Sequence, residues 1–332
     1  MTKGKTRSKQ IRSGRKIKVV VVGGGNGSAI VLQALKKFAD SLEITAVIGT
    51  ADSGGSSGEL RREFGLIPSG DILRAILALS PTDYKILRKI FYEVRFSVGG
   101  KLNKHNLGNL FLTLGGQYSK NIVKTINALS ESVGALGKVI PATLKPADLA
   151  VELENGLIIR GEANIDVPKY NRNWKINKAL PTRVRVNPTA VSALSNADYI
   201  IFGPGSLYTS VIAPLTISGI YQSVKKSRAR LIGLITNYNH IFGETGPTNL
   251  SGTIAALENN LPRPLDVIVF NSHQPDVREK KFARQKTWYL LERDDKNLTP
   301  YRSRLKFYDC GYKKFPGLDF AKLGKYLKKI IN

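Results

Sequence analysis

Three short stretches of the 332-residue chain gather glycines and hydroxyl side chains where backbone N–H groups can meet an oxyanion. Gly23-Gly24-Gly25-Asn26-Gly27-Ser28 follows the β-branched run Lys18 to Val22. Asp52-Ser53-Gly54-Gly55-Ser56-Ser57-Gly58 follows Ile44 to Ile48, and Arg61 and Arg62 stand just beyond it. Gly203-Pro204-Gly205-Ser206-Leu207-Tyr208-Thr209-Ser210 follows Tyr199 to Phe202. Small residues admit close backbone approach, hydroxyls donate hydrogen bonds, and a helix N-terminus adds partial positive charge, so this composition fits a phosphate ester. Ser56 and Ser57 are candidate donors to it, and Arg61 a candidate clamp.

Further polar residues gather around the same chemistry. Asp52 and Asp71 are two carboxylates beside glycine loops, the donor type that holds a Mg²⁺ retaining several waters; Asp71 equally suits the N-cap of the helix it opens. His105, Asn106 and Asn109 stand at a polar helix start, where they either hold ligand hydroxyls or serve the fold alone. Asn237 ends another apolar run and is a candidate for the same role. The first loop is not a G-x-G-x-x-G fingerprint, and no G-K-[ST] follows it, so neither a standard dinucleotide site nor a Walker loop is spelled out.

These loops need elements to hold them. Strand-sized apolar runs at 18–22, 44–48, 199–202, 231–235 and 266–270 each end in polar or glycine residues, with helical periodicity between several of them. Buried strands alternating with helices predict a Rossmann-like, doubly wound, mostly parallel sheet, in which ligands lie outside the carboxyl ends of the strands. Ser28 is a plausible cap for the first helix. Leu149 to Arg160 contains an Asn155-Gly156 turn signal and predicts an antiparallel hairpin at the sheet edge, within an insertion at about 145–187. The last residues, 318–331, read as an amphipathic helix with Leu318, Phe320, Leu323, Leu327 and Ile330 toward the core.

Composition bounds the rest. With 51 Lys+Arg against 25 Asp+Glu the formal charge is +26, yet 42% of residues are hydrophobic, so the chain is a globular protein and not a disordered polycation. Residues 1–16 are basic and free of acids, and read as a disordered tail ahead of a single domain spanning 17–332; through that tail alone a nucleic-acid partner is conceivable. One cysteine and three scattered histidines exclude a disulfide scaffold and structural zinc. No apolar run approaches the roughly 20 residues of a membrane helix, so no membrane partner is expected and the protein should be cytoplasmic.

The series GGGNGSA, ADSGGSSGELR, PSGD, HNLGNLF, GPGSLYTSV and TN…GET, in that order and spacing, resembles the CofD-like superfamily, and within it the YvcK-type gluconeogenesis factors, from about Lys16 to Asn271. The resemblance implies a nucleotide-sugar site for UDP-N-acetylglucosamine and a link to cell shape and cell-wall metabolism, with no firmly established catalysis. The CofD branch implies instead a metal-dependent transfer of a phospholactyl group to a deazaflavin, a 2-phospho-L-lactate transferase activity. Mapped onto this chain, the diphosphate cradle would be Gly24, Gly25, Asn26 and Gly27 with Gly203, Gly205, Ser206 and Thr209. Gly54, Gly55, Ser56, Ser57, Arg61 and Asn106 would line the site, and Asp52, His105, Asn109 and Asn237 would hold hydroxyl or base edges. Asn26 and Ser53 stand where the family has Thr and a second Asp, so the Mg²⁺ chemistry of Asp52 with Asp71 lacks one carboxylate and binding is favoured over transfer.

Overall fold

The computed structural model describes residues 14–97, 100, 102–312 and 316–331. Among them run twelve strands: β1 (Ile17–Gly23), β2 (Leu42–Ile48), β3 (Lys138–Pro141), β4 (Ala150–Leu153), β5 (Ile158–Arg160), β6 (Ile176–Ala179), β7 (Tyr199–Phe202), β8 (Arg230–Ile235), β9 (Tyr238–His240), β10 (Val267–Asn271), β11 (Trp288–Leu290) and β12 (Leu305–Tyr308). Seven of these form one sheet in the order β12-β10-β8-β7-β1-β2-β3, and every pairing in it is parallel. The Rossmann-like doubly wound α/β class expected from the sequence is therefore the class found.

The order has a mechanical consequence. From β1 the chain winds outward through β2 to β3, then returns to β7 beside β1 and winds the other way through β8, β10 and β12. The loops after β1 and β7 thus part in opposite directions and leave a crevice between them, at the switch point where open α/β sheets bind ligands.

Both faces of the sheet are buried, which is why its strands read as unbroken β-branched runs rather than alternating ones. Val19, Val21, Ile44, Ile48 and Ile201 pack on one side with helices α1 (Gly25–Lys36), α2 (Gly55–Phe64), α3 (Gly70–Leu79), α4 (Tyr84–Arg88), α5 (Leu107–Ser119) and α6 (Ile122–Ser132). Val20, Val22, Ile200, Phe202 and Ile268 pack on the other, against α7 (Glu162–Asp166), α8 (Pro188–Ser195), α9 (Ser218–Lys226) and α10 (Leu250–Asn259). Two more helices, α11 (Val277–Gln285) and α12 (Phe320–Ile331), follow β10 and β12.

Several local expectations are corrected. Ser28 does not cap α1: the helix already begins at Gly25 with Gly24 as its N-cap, because the glycine cluster itself makes the turn, and Ser28 lies buried in the first turn. Asp71 is not an N-cap either; that position is Ser69, and Asp71 pairs with Arg74 at 2.6 Å. The hairpin β4–β5 does not extend the main sheet. It pairs instead with β6 in a three-stranded antiparallel sheet, whose Val151, Leu153 and Ile176 enter the core below β7. In α12 the buried face carries Leu323, Leu327 and Ile331, while Phe320 stays exposed with Lys37 over its ring.

Of the basic tail, residues 1–13 lie outside the described residues. Arg15 and Lys16, assigned to it from sequence, are held: Arg15 bonds both carboxylate oxygens of Asp198, and the Lys16 ammonium donates to the Ala39 carbonyl.

Candidate functional site

The crevice encloses about 670 Å³ over the carboxyl ends of β1, β2, β7 and β8. Its floor is made by the first and third glycine stretches in direct contact. A Cβ at Gly27 would fall on the Pro204 backbone carbonyl, so glycine there is a packing requirement; one at Gly24 would push the Asp71 carboxylate aside. Gly25 (φ +66°) and Gly203 (φ +78°) take the left-handed backbone that glycine adopts at no steric cost.

α1 opens directly into this space. Gly24 gives its N-terminus no side-chain cap, the first turn carries no acid, and the buried Ser28 hydroxyl has no hydrogen-bond partner among the described residues. An uncapped helix N-terminus of this length leaves its first N–H groups for an external anion. Gly24, Gly25, Asn26, Gly27, Gly205, Ser206, Thr209 and Asn237 all line the crevice, as do Asp52 and Asp71.

The second stretch behaves differently. Gly54, Gly55, Ser56, Ser57 and Arg61 do not line the crevice, nor do Gly203, His105, Asn106 and Asn109. The second stretch with His105, Asn106 and Asn109 forms a bracket behind Asp52. The Asn109 amide donates to Ser56 and Ser57, each at 3.3 Å, and accepts from Ser69; a ring nitrogen of His105 lies 2.8 Å from the Ser56 hydroxyl; Asn106 caps α5 by accepting from the Asn109 N–H. The Gly54 N–H and the Ser57 hydroxyl in turn hold the Asp52 carboxylate. Arg61 reaches the carbonyls of Ala51 and Asp52 and pairs with Asp148. Asn237 lines the crevice, but its amide is committed to His273 and Asn271 at the strand ends.

Three carboxylates in the wall escaped the sequence analysis. Glu162 accepts the Ser53 N–H, so an acid of α7 sits against the second glycine stretch, next to Asp52. Ser53 itself holds α7 by accepting the Ala163 N–H. Asp166 accepts from Thr209, and Glu244 accepts the N–H groups of Tyr208 and Thr209 at 3.0–3.1 Å. The backbone N–H groups at the end of the third stretch are therefore already occupied by a protein carboxylate. Only for Glu244 was there a hint in the sequence, the Gly243-Glu244-Thr245 triplet.

Among the described residues, five acids and one arginine, Arg74, line the crevice and make this wall acidic in a chain of formal charge +26. Burial raises Asp52, Glu162, Asp166 and Glu244 above the ordinary carboxylate range; Asp71 adds to the rise of Asp52, and Asp52 to that of Glu162. Glu162 and Glu244 are each pushed up to about 7. The far wall is aromatic. Antiparallel β9 and β11 bring Tyr238 and Trp288 to 6.4 Å between ring centres, beside Tyr289, and the Tyr238 hydroxyl has no hydrogen-bond partner among the described residues.

The class these features define is an open, doubly wound α/β protein with one switch-point crevice, glycine-floored, acid-walled and aromatic at one end. The family described as 2-phospho-L-lactate transferase CofD matches residues 19–305, and the chain belongs to it. It is 40% identical over 232 residues, 69% of each chain, to the gluconeogenesis factor of Listeria innocua. With the gluconeogenesis factor of Bacillus subtilis it shares 34% identity over 271 residues, 81% of this chain and 83% of that one. A crystal structure of a Bacillus halodurans protein superposes with a TM-score of 0.84 at 29% identity, covering 95% of this chain and all of the other. Among the described residues no helix is long and apolar enough to cross a membrane.

Proposed function

We propose that the chain is a nucleotide-sugar-binding regulatory protein of the gluconeogenesis-factor type, taking UDP-N-acetylglucosamine or a close analogue together with Mg²⁺ in the switch-point crevice. The observation that carries this reading is the uncapped N-terminus of α1, opening between glycine loops whose backbones touch. The diphosphate belongs over Gly24 to Gly27, the sugar hydroxyls against the carboxylates, and the base against Tyr238, Trp288 and Tyr289.

The acid wall bears on the cation. A diphosphate brought near five carboxylates and one arginine is repelled unless protons or a cation intervene. Asp52 and Asp71 are close enough for one to raise the other's carboxyl, and both supply the hard oxygen donors that Mg²⁺ takes alongside waters and phosphate. They fit an ion shared with the ligand rather than one caged by protein alone, since among the described residues no three metal-ligating side chains gather at a point. Isothermal titration with UDP-N-acetylglucosamine, with and without Mg²⁺, tests the reading: saturable heat strengthened by the cation supports it, and no heat at roughly millimolar ligand contradicts it.

A second reading rests on the family name and on the same two acids. In a CofD-type transfer, Asp52 and Asp71 would hold Mg²⁺ against charge developing on the phosphoryl group. Turnover of a nucleotide-activated phospho-acid with a deazaflavin acceptor, lost in Asp71→Asn, would favour this activity over binding alone.

A further inference from the structure

We infer that the chain binds single-stranded nucleic acid on a basic surface with exposed rings, formed by residues 169–175, the loop after β9 and α11. Lys169, Arg172 and Lys175 stand in a stretch without an acid, with Tyr170 and Trp174 between them. Residues 277–286 add Arg278, Lys280, Lys281, Arg284 and Lys286, and their one acid, Glu279, is buried and bonded to His273. All of these cations except Arg172 are exposed, and none pairs with a carboxylate among the described residues.

Hydrogen bonds bring the two segments, about a hundred residues apart in the chain, to one loop. The Arg172 guanidinium donates to the Ile241 carbonyl and the Ile176 N–H to the Thr245 carbonyl, so residues 172–176 run beside 241–245. On the other side the Ile241 N–H donates to the Thr287 carbonyl, and a ring nitrogen of His240 lies 2.9 Å from the Thr287 hydroxyl, directly after Lys286. Phe242, 56% exposed, thus stands in a loop with cations on both flanks, and Trp174, 43% exposed, lies between Arg172 and Lys175.

The chemistry selects the occupant. Cations that track a phosphate backbone and rings that take bases on their faces are the two parts of a single-strand site. A lipid surface needs an apolar face free to insert beside the cations; past Val277, α11 exposes no aliphatic side chain, and its Ala283 is buried. An acidic protein segment would use the cations and leave the separate rings of Trp174 and Phe242 without a role. The five acids of the crevice repel a polyanion, which keeps the strand on this outer surface. The site requires neither residues 1–13 nor a ligand in the crevice.

Fluorescence anisotropy of the full chain with labelled oligouridylate and oligothymidylate of roughly 20 nucleotides, over a salt series, tests this. The expected result is saturable binding of at least one of the two strands, weakened by salt, with inorganic polyphosphate competing roughly tenfold less well because it has no bases to stack. Lys281→Gln with Arg284→Gln should make the slope of log affinity against log salt shallower by about 1.4, at about 0.7 per lost phosphate contact. Trp174→Ala with Phe242→Ala should weaken binding roughly tenfold and leave that slope unchanged. Lys325→Gln with Lys329→Gln removes the same charge from exposed positions of α12 and should change affinity less than about twofold. Circular dichroism and melting of each variant should match the wild type. Absence of binding up to roughly 100 μM protein, equal loss in the α12 pair, or binding untouched by both surface pairs overturns the proposal. So does polyphosphate competing as well as the strands, or binding to anionic vesicles by a chain that takes up no strand.

Discussion

Replacing Glu244 by Gln probes the carboxylate that occupies the N–H groups at the end of the third glycine stretch. Its carboxyl is raised from 4.5 to about 7, because burial outweighs the N–H groups of Thr209, Tyr208 and Leu207 that favour the charged form. Between those values the folded chain keeps a proton that the unfolded chain has released, so stability falls as pH rises through the window and levels off above it. At about 1.4 kcal/mol per pH unit, the whole interval corresponds to about 3 kcal/mol, most of which lies between pH 5 and pH 8. Gln cannot ionise, and the misfit of its NH₂ group against backbone donors is the same at every pH. Urea unfolding of both proteins should therefore show the wild type losing about 2–3 kcal/mol relative to Glu244→Gln when pH is raised from 5 to 8. Glu162 titrates in the same range but is not among the groups that shift Glu244, so its share cancels in the comparison. A difference between the proteins that holds constant to within about 0.5 kcal/mol would refute the reasoning.

Other perturbations have definite outcomes. Gly27→Ala drives a methyl into the Pro204 carbonyl and should destabilise by about 1–3 kcal/mol, seen in thermal melts, with at least tenfold weaker nucleotide-sugar binding. Asn109→Ala leaves Ser56, Ser57 and Ser69 without the amide they share and should cost about 1–3 kcal/mol, again read by melting, while also weakening ligand binding through a loosened Asp52. Asp71→Asn should abolish the gain in ligand affinity on adding Mg²⁺, measured by titration with and without the cation. If the basic tail meets nucleic acid, deleting residues 1–13 should flatten the dependence of DNA affinity on salt.

How much of this was legible in the sequence depended on how local the signal was. β1, β2, β7, β8 and β10 announce themselves as apolar runs because each is buried on both faces, and the glycine stretches mark the loops after β1, β2 and β7. The edge strands β3 and β12 give no such run: Lys138–Pro141 and Leu305–Tyr308 are short, and β12 includes the exposed Lys306 and Phe307. Composition made the Asp52 to Gly58 stretch look like a ligand loop, whereas its serines turn inward to Asn109 and His105. That preference comes from a helix some fifty residues away along the chain, which no local pattern reports. The acid wall was illegible for the same reason. Glu162 and Asp166 sit in a five-residue helix of the insertion, and only the packing of the antiparallel sheet brings them over the crevice. Net charge misled in a related way, since in a chain of +26 the lining keeps only Arg74 among the described lysines and arginines.

The most direct test is a crystal structure of the chain grown with UDP-N-acetylglucosamine and Mg²⁺. The diphosphate should lie over the N-terminus of α1 between Gly24–Gly27 and Pro204–Gly205, with the cation against Asp52 and Asp71 and the base toward Trp288 and Tyr289. Ligand density that leaves the α1 N-terminus free, or a crevice that stays empty at saturating ligand, would contradict the account.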